Sequence, residues 1–204
     1  MYVCQVTFAT ELAGGTNPQQ VTGAFDTTGV NVWVAGPVVT TSAGSTNGEK
    51  LSVAMFYCLS TVAWPFPIEV DFTGSFTVLP NSFGAVGLEY NASGAWVHDT
   101  DFSTTAAGAS ASQPTIAGSI TTSYANELVI AAAFGFDIAY IEPGGYGSAS
   151  INGSFTQREP VWTRPSVGGG AVADETGLTS PTATATFTDA AEVAAIIVSG
   201  FAVP

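Results

Sequence analysis

Basic residues are almost absent. Lys50, Arg158 and Arg164 stand alone against sixteen acids, for a net charge of −13 over 204 residues. A phosphate backbone is held by clustered Lys and Arg, so nucleic acid is excluded as a partner. One histidine, His98, and two cysteines, Cys4 and Cys58, leave few groups for acid–base, thiolate or zinc chemistry. No apolar run reaches the ~18 residues of a membrane-spanning helix. The longest candidate, from Leu128 to Ile141, is broken by Asp137, and no membrane partner is expected. A secretory signal opens on a basic segment followed by an apolar stretch, and Met1-Tyr2-Val3-Cys4-Gln5 offers neither. Charged residues of both signs make up only 9% of the chain, against the ~25% usual for a soluble globular protein.

Hydrophobic residues make up 46%, too many for disorder. They come with 26 Thr, 18 Ser, 23 Gly, 13 Phe and 6 Tyr, a mix of β-branched, aromatic and turn residues that favours strands over helices. A chain of this length can bury about 70% of its unfolded surface, enough for one core without metal or disulfide help. A surface of Thr, Ser, Asn and Gly orders cheaply, because short side chains lose little rotamer entropy, and it offers few sites to trypsin-like proteases. Such a surface suits the outside of a cell. Without a signal segment, it points to release by lysis, as for a component of a virus particle.

Apolar and polar residues alternate in short bursts separated by Gly, Pro, Asn and Ser. Ile68 to Thr73 sets apolar residues on one face and acids on the other, and Thr182 to Thr188 places a threonine at every second position. Both read as half-buried antiparallel strands. Leu128 to Phe134 and Val193 to Val198 are continuously apolar. They read as strands covered on both faces; a helix competes there, but Gly135, Gly200 and the β-branched residues weigh against it. Further strands are expected over 2–9, 32–39, 51–59, 83–90, 115–121, 150–157 and 170–174. The reading is an all-β chain, a single antiparallel β-sandwich or jelly-roll-like domain of roughly ten strands over 1–204. The low-complexity stretch from Thr104 to Pro114 reads as a crossover within it rather than a domain linker.

Candidate chemistry is sparse. His98-Asp99-Thr100-Asp101 sets two carboxylates at alternate positions, which a hard cation such as calcium could use, but two ligands are too few and a solvated loop after Trp96 explains them as well. Asp174-Glu175 with Asp189 and Glu192 is a second cluster of that kind, and no metal is expected. A paired-acid glycosidase needs carboxyls ~5 to 9.5 Å apart; sixteen acids supply such pairs by chance, and no motif singles one out. Nucleophile elbows, phosphate loops and zinc spacings are missing, so neither an enzyme nor a cofactor is expected. Cys4 and Cys58 lie in separate expected strands. They form either a staple worth about 4 kcal/mol or two buried thiols. Trp33 between them does not make an immunoglobulin pattern, whose Trp comes early and second Cys much later. Trp64, Trp96 and Trp162, with Phe66, form either a glycan-stacking platform or anchors of a core or interface. Arg158 and Arg164 flank Glu159-Pro160-Val161-Trp162 and pair either with acids of a neighbouring copy or within the chain. Asn91-Ala92-Ser93 and Asn152-Gly153-Ser154 match the glycosylation sequon, a match too short to carry meaning.

In order along the chain, Gly29-Val30-Asn31-Val32-Trp33, Leu51 to Tyr57, Val70 to Ser75, Gly87 to Tyr90, Ala125 to Val129, Gly153 to Arg158 and Ala183 to Thr186 resemble a loosely defined β-sandwich family. Its members occur as modules of bacterial secreted proteins and of bacteriophage structural proteins. The resemblance covers nearly the whole chain but rests on strand patterns, so it carries no active-site residues. Such domains carry a further strand or two ahead of the one matching 2–9. The resemblance therefore implies either a smaller sandwich or an unpaired edge open to another chain. It implies a virion protein that decorates a capsid or belongs to a tail, with other virion proteins and copies of itself as partners. A carbohydrate-binding module using exposed tryptophans is the alternative.

Overall fold

The computed structural model describes residues 1–11, 21–26, 29–40, 50–59, 67–72, 77–107, 115–136, 149–152, 154–159, 168–177, 179–187 and 193–204. Among the described residues there is no helix. The strands are β1 (Tyr2–Glu11), β2 (Val21–Asp26), β3 (Val34–Thr40), β4 (Lys50–Cys58), β5 (Ile68–Phe72), β6 (Thr77–Glu89) and β7 (Val97–Ala107). They continue with β8 (Thr115–Ser119), β9 (Leu128–Phe136), β10 (Ala149–Asn152), β11 (Thr156–Glu159), β12 (Gly168–Thr176), β13 (Thr182–Phe187) and β14 (Val193–Ala202). Every pairing is antiparallel.

These strands form a four-stranded sheet (β3-β4-β1-β6), a five-stranded sheet (β11-β12-β9-β14-β7), a three-stranded sheet (β10-β13-β8) and a two-stranded sheet (β2-β5). The five-stranded sheet is covered on both faces, and its sequence shows why. Along β9, Leu128, Ile130, Ala132 and Phe134 face the four-stranded sheet, where they meet Met1, Val3, Val53, Met55 and Tyr57. Val129, Ala131 and Ala133 face the other way, onto Ile116, Ile151, Ala183 and Ala185 of the three-stranded sheet. A strand with two dry faces has no polar position to alternate with, hence the continuous apolar run. Strand β13 has one wet face, so Ala183 and Ala185 are buried while Thr182 is exposed. On the far side of the four-stranded sheet, Cys4, Ala54 and Phe56 are covered by Trp33, Val38 and Ile68, which brings in the β2-β5 pair.

The all-β, antiparallel expectation holds, but the described strands and sheets outnumber the roughly ten strands of one sandwich. Three particular corrections follow. Strand β1 is no open edge: it lies between β4 and β6, pairing with both. The segment read as one strand over 150–157 is two, β10 and β11, in different sheets. Thr104 to Ala107, read as the start of a crossover, are the end of β7, and residues 108–114 lie outside the described residues.

Two glycines set the spacing of the layers. A Cβ on Gly118 of β8 would stand 2.8 Å from the Phe102 ring and 3.0 Å from Val198, so a bare backbone is what lets the three-stranded sheet settle on its neighbour. At Gly200 of β14 the place of a Cβ is taken by the Glu127 carboxyl.

Candidate functional site

One network of described polar side chains gathers around Asp174, where β6 leaves its sheet. Asp174 sits on β12 opposite Ile130 of β9. Its neighbour Ala173 points to the three-stranded sheet, so alternation turns the carboxylate towards the side of the four-stranded sheet. Strand β11 has an irregularity between Gln157 and Glu159 that leaves Arg158 as the extra residue. A bulge re-aims the side chain it carries, and Arg158 Nε donates to Asp174 Oδ2 at 2.7 Å. Tyr90, just past β6, donates its hydroxyl to the same oxygen at 2.6 Å. Asp174 is 2% exposed while the Arg158 side chain is half exposed. Burial first and the Asp174 carboxylate second push the Tyr90 phenol well above its usual range, so it stays a donor at any ordinary pH. The same carboxylate holds the Arg158 guanidinium firmly charged.

Over this network lies a cleft of about 280 Å³ whose walls include Tyr90, Trp96, Asn126, Thr156, Arg158 and Glu175. A second hollow of about 200 Å³, reaching Met1 and Leu59, shares Tyr90, Asn91 and Trp96 with it. These shared residues form an aromatic waist between the two halves of the groove. Asn126 stands at its lip with φ 61°, the one positive-φ non-glycine among the described residues. Asparagine tolerates that conformation better than most residues. The turn is tied down beside it, where Gly177 N–H donates to the Glu127 carbonyl at 3.2 Å.

The residues singled out from sequence scatter. Among the described residues, Trp96 is the tryptophan that lines this groove, packed in part against the inter-sheet core. Trp64, Trp162, Arg164, Asp189 and Glu192 lie outside the described residues. Arg158 has its Nε on an acid of its own chain, at odds with an ion pair across copies through that atom. His98-Asp99-Thr100-Asp101 is no loop but the start of edge strand β7. His98 stacks on Tyr57 with ring centres 5.1 Å apart, and its Nε2 lies 2.8 Å from Asp101 Oδ1. Asp99 Oδ2 instead accepts the Ser123 N–H at 2.8 Å. The two carboxylates thus serve different partners and do not converge on one ion, and among the described residues no group of three or more His, Cys, Asp or Glu could hold a metal.

Cys4 is a buried free thiol. The ladder sets Cys4 opposite Phe56 and Cys58 opposite Tyr2. The two are therefore diagonal neighbours, for which backbones stand about 7 to 8 Å apart, wider than a disulfide spans. Burial pushes the Cys4 thiol up to about 12, which makes it a packing group at neutral pH.

Sequence reasoning missed Tyr90 and Glu127. Tyr90 ends an apparent strand, and nothing local says that its hydroxyl reaches a partner 84 positions away. Glu127 precedes an apolar strand and reads as a solvated flank, yet it is 0% exposed. Compared with family models, curated proteins and solved structures, the chain matches none.

Proposed function

We propose that this chain is a non-enzymatic structural protein of a bacteriophage particle, decorating the capsid or belonging to the tail. In this reading residues 1–204 form one domain, an elaborated β-sandwich. It works through contacts with other virion proteins and with copies of itself, outside the cell once particles are released. The strand segments that resemble phage structural modules support the reading, and so does the scarcity of catalytic groups in the sequence.

The observation that carries it is a strip of exposed valines, Val30 (51% exposed), Val32 (75%) and Val34 (39%). The chain bends at Asn31 before entering the strand at Val34, and the residues between the valines are anchored inwards. Asn31 is buried, and Trp33 Nε1 donates to Asp26 Oδ2 at 3.0 Å. The other oxygen of the buried Asp26 accepts the Gly29 N–H at 3.1 Å. The segment is thus pinned with its apolar side turned outwards and runs straight into edge strand β3. Contiguous exposed apolar residues beside a sheet edge are what an interaction surface requires. Pro37, in the β3 irregularity between Ala35 and Val38, blunts the edge further along, so contact concentrates on the valine strip.

The test is quantitative mass spectrometry of purified particles from a strain producing the wild-type chain or Val32→Asp. The wild type should be present at many copies per particle, and Val32→Asp should be depleted while the soluble variant keeps its melting temperature. Absence of the wild-type chain from particles, or undiminished incorporation of Val32→Asp, would overturn the reading.

A further inference from the structure

We propose that the groove bounded by Tyr90, Asn91, Trp96, Asn126, Arg158 and Glu175 is a carbohydrate site that takes a short neutral oligosaccharide. The proposal does not depend on the phage reading, since a sugar site would serve a secreted module equally well.

A pyranose ring presents an apolar C–H face and a rim of hydroxyls, each both donor and acceptor. Its natural host has an aromatic wall for the face and mixed amide, hydroxyl and guanidinium groups for the rim. The groove has that division. Trp96 rests in part on the core and presents the remainder of its indole at the waist, beside Tyr90. Asn91, Asn126 and Thr156 supply groups that can donate and accept. The hollows of about 280 and 200 Å³ that share this wall offer room for a short oligosaccharide beyond a single ring.

The site is also held in advance of any ligand. Asp174 is buried and fixes both Tyr90 Oη and Arg158 Nε, so the ring plane and the guanidinium plane are set without cost at binding. The far nitrogens of Arg158 belong to the half-exposed end of the side chain and provide a fork that matches two adjacent hydroxyls. The charged end of Arg158 stays at an open cleft.

Charge selects the class of sugar. Among the described lining residues, the carboxylates of Asp174 and Glu175 stand against the guanidinium of Arg158, on a chain of net charge −13. Sialic acids, uronic acids and sulfated sugars are repelled, and neutral glycans are left.

Calorimetric titration of the full chain with cellotriose, maltotriose and triacetylchitotriose, with sialyllactose as the acidic comparison, tests the site. At least one neutral trisaccharide should bind. Trp96→Ala should weaken that binding by about tenfold, the equivalent of ~1.4 kcal/mol. Because Trp96 also packs on the core, two further variants separate folding from binding. Asn126→Gly keeps the left-handed backbone while removing the amide, and Thr156→Val removes a hydroxyl at an exposed position; each should weaken binding several-fold with the fold intact by circular dichroism. No heat with any neutral trisaccharide, binding that all three variants leave unchanged, or tighter binding of sialyllactose would each overturn the proposal.

Discussion

Glu127 is buried at a cost to stability. It is fully buried, its Oε1 has no hydrogen-bond partner, and its Oε2 accepts a long 3.4 Å contact from the Tyr124 N–H. Burial raises its pKa above the ordinary 4.5, and the nearby charge of Asp99 raises it further, against the pull of the Tyr124 and Ser123 amides. For a carboxyl raised in the folded state, the unfolded chain gives up its proton first. Stability is therefore fullest below pH 4.5 as far as this group is concerned, and it is lost as the pH climbs from there through the folded pKa. Glu127→Gln keeps the shape without the charge. Urea unfolding at pH 7 should show the variant more stable by on the order of 1 kcal/mol, with the gap closing near pH 4. An equal gap at both values would mean that the effect is steric. Sequence could not give this away, since the carboxyl fills the space that a glycine leaves open 73 positions later, counting from Glu127 to Gly200.

Strands with a wet face or two dry faces were legible, because burial is written into their side-chain period. Strand β13 with its threonines and β9 with its unbroken apolar run were both read correctly. Strand β7 was not. It carries His98, Asp99 and Asp101 at the edge of the five-stranded sheet, where charge guards against unwanted pairing and hides the strand at the same time. Strand β2 was missed for a related reason: a two-stranded pair needs no long apolar pattern, and Val21–Asp26 has none. Of the candidate site, Trp96 and Arg158 were legible as residues, but their meeting was not, because it depends on a bulge in β11 and on ladders between distant strands. Layer spacing is likewise set by contacts far apart in sequence. Gly118→Val would drive methyl groups into Phe102 and Val198, and overpacking of that kind costs about 1 to 3 kcal/mol. Thermal unfolding should register the loss. A neutral result would place the three-stranded sheet further from its neighbour than Gly118 requires.

For the whole molecule, two opposing properties decide whether copies meet. The net charge of −13 makes them repel, whereas Val30, Val32 and Val34 attract any matching apolar strip. At low ionic strength the repulsion extends over roughly 30 Å at 0.01 M salt, and it shrinks to about 3 Å at 1 M. Burial of three valines has no such dependence on screening, and salting-out ions strengthen it. Charge therefore controls when association occurs and the strip controls where. Light scattering after size exclusion should find a monomer at pH 7 and low salt, with larger species growing in high salt and again near pH 4.1, the point of zero net charge. Val32→Asp should stay monomeric in high salt at neutral pH, because a carboxylate buried in an apolar contact loses its hydration without gaining a partner. If the variant associates as readily as the wild type, the copies meet through another surface, and the valine strip loses its place as the contact on which a particle would be built.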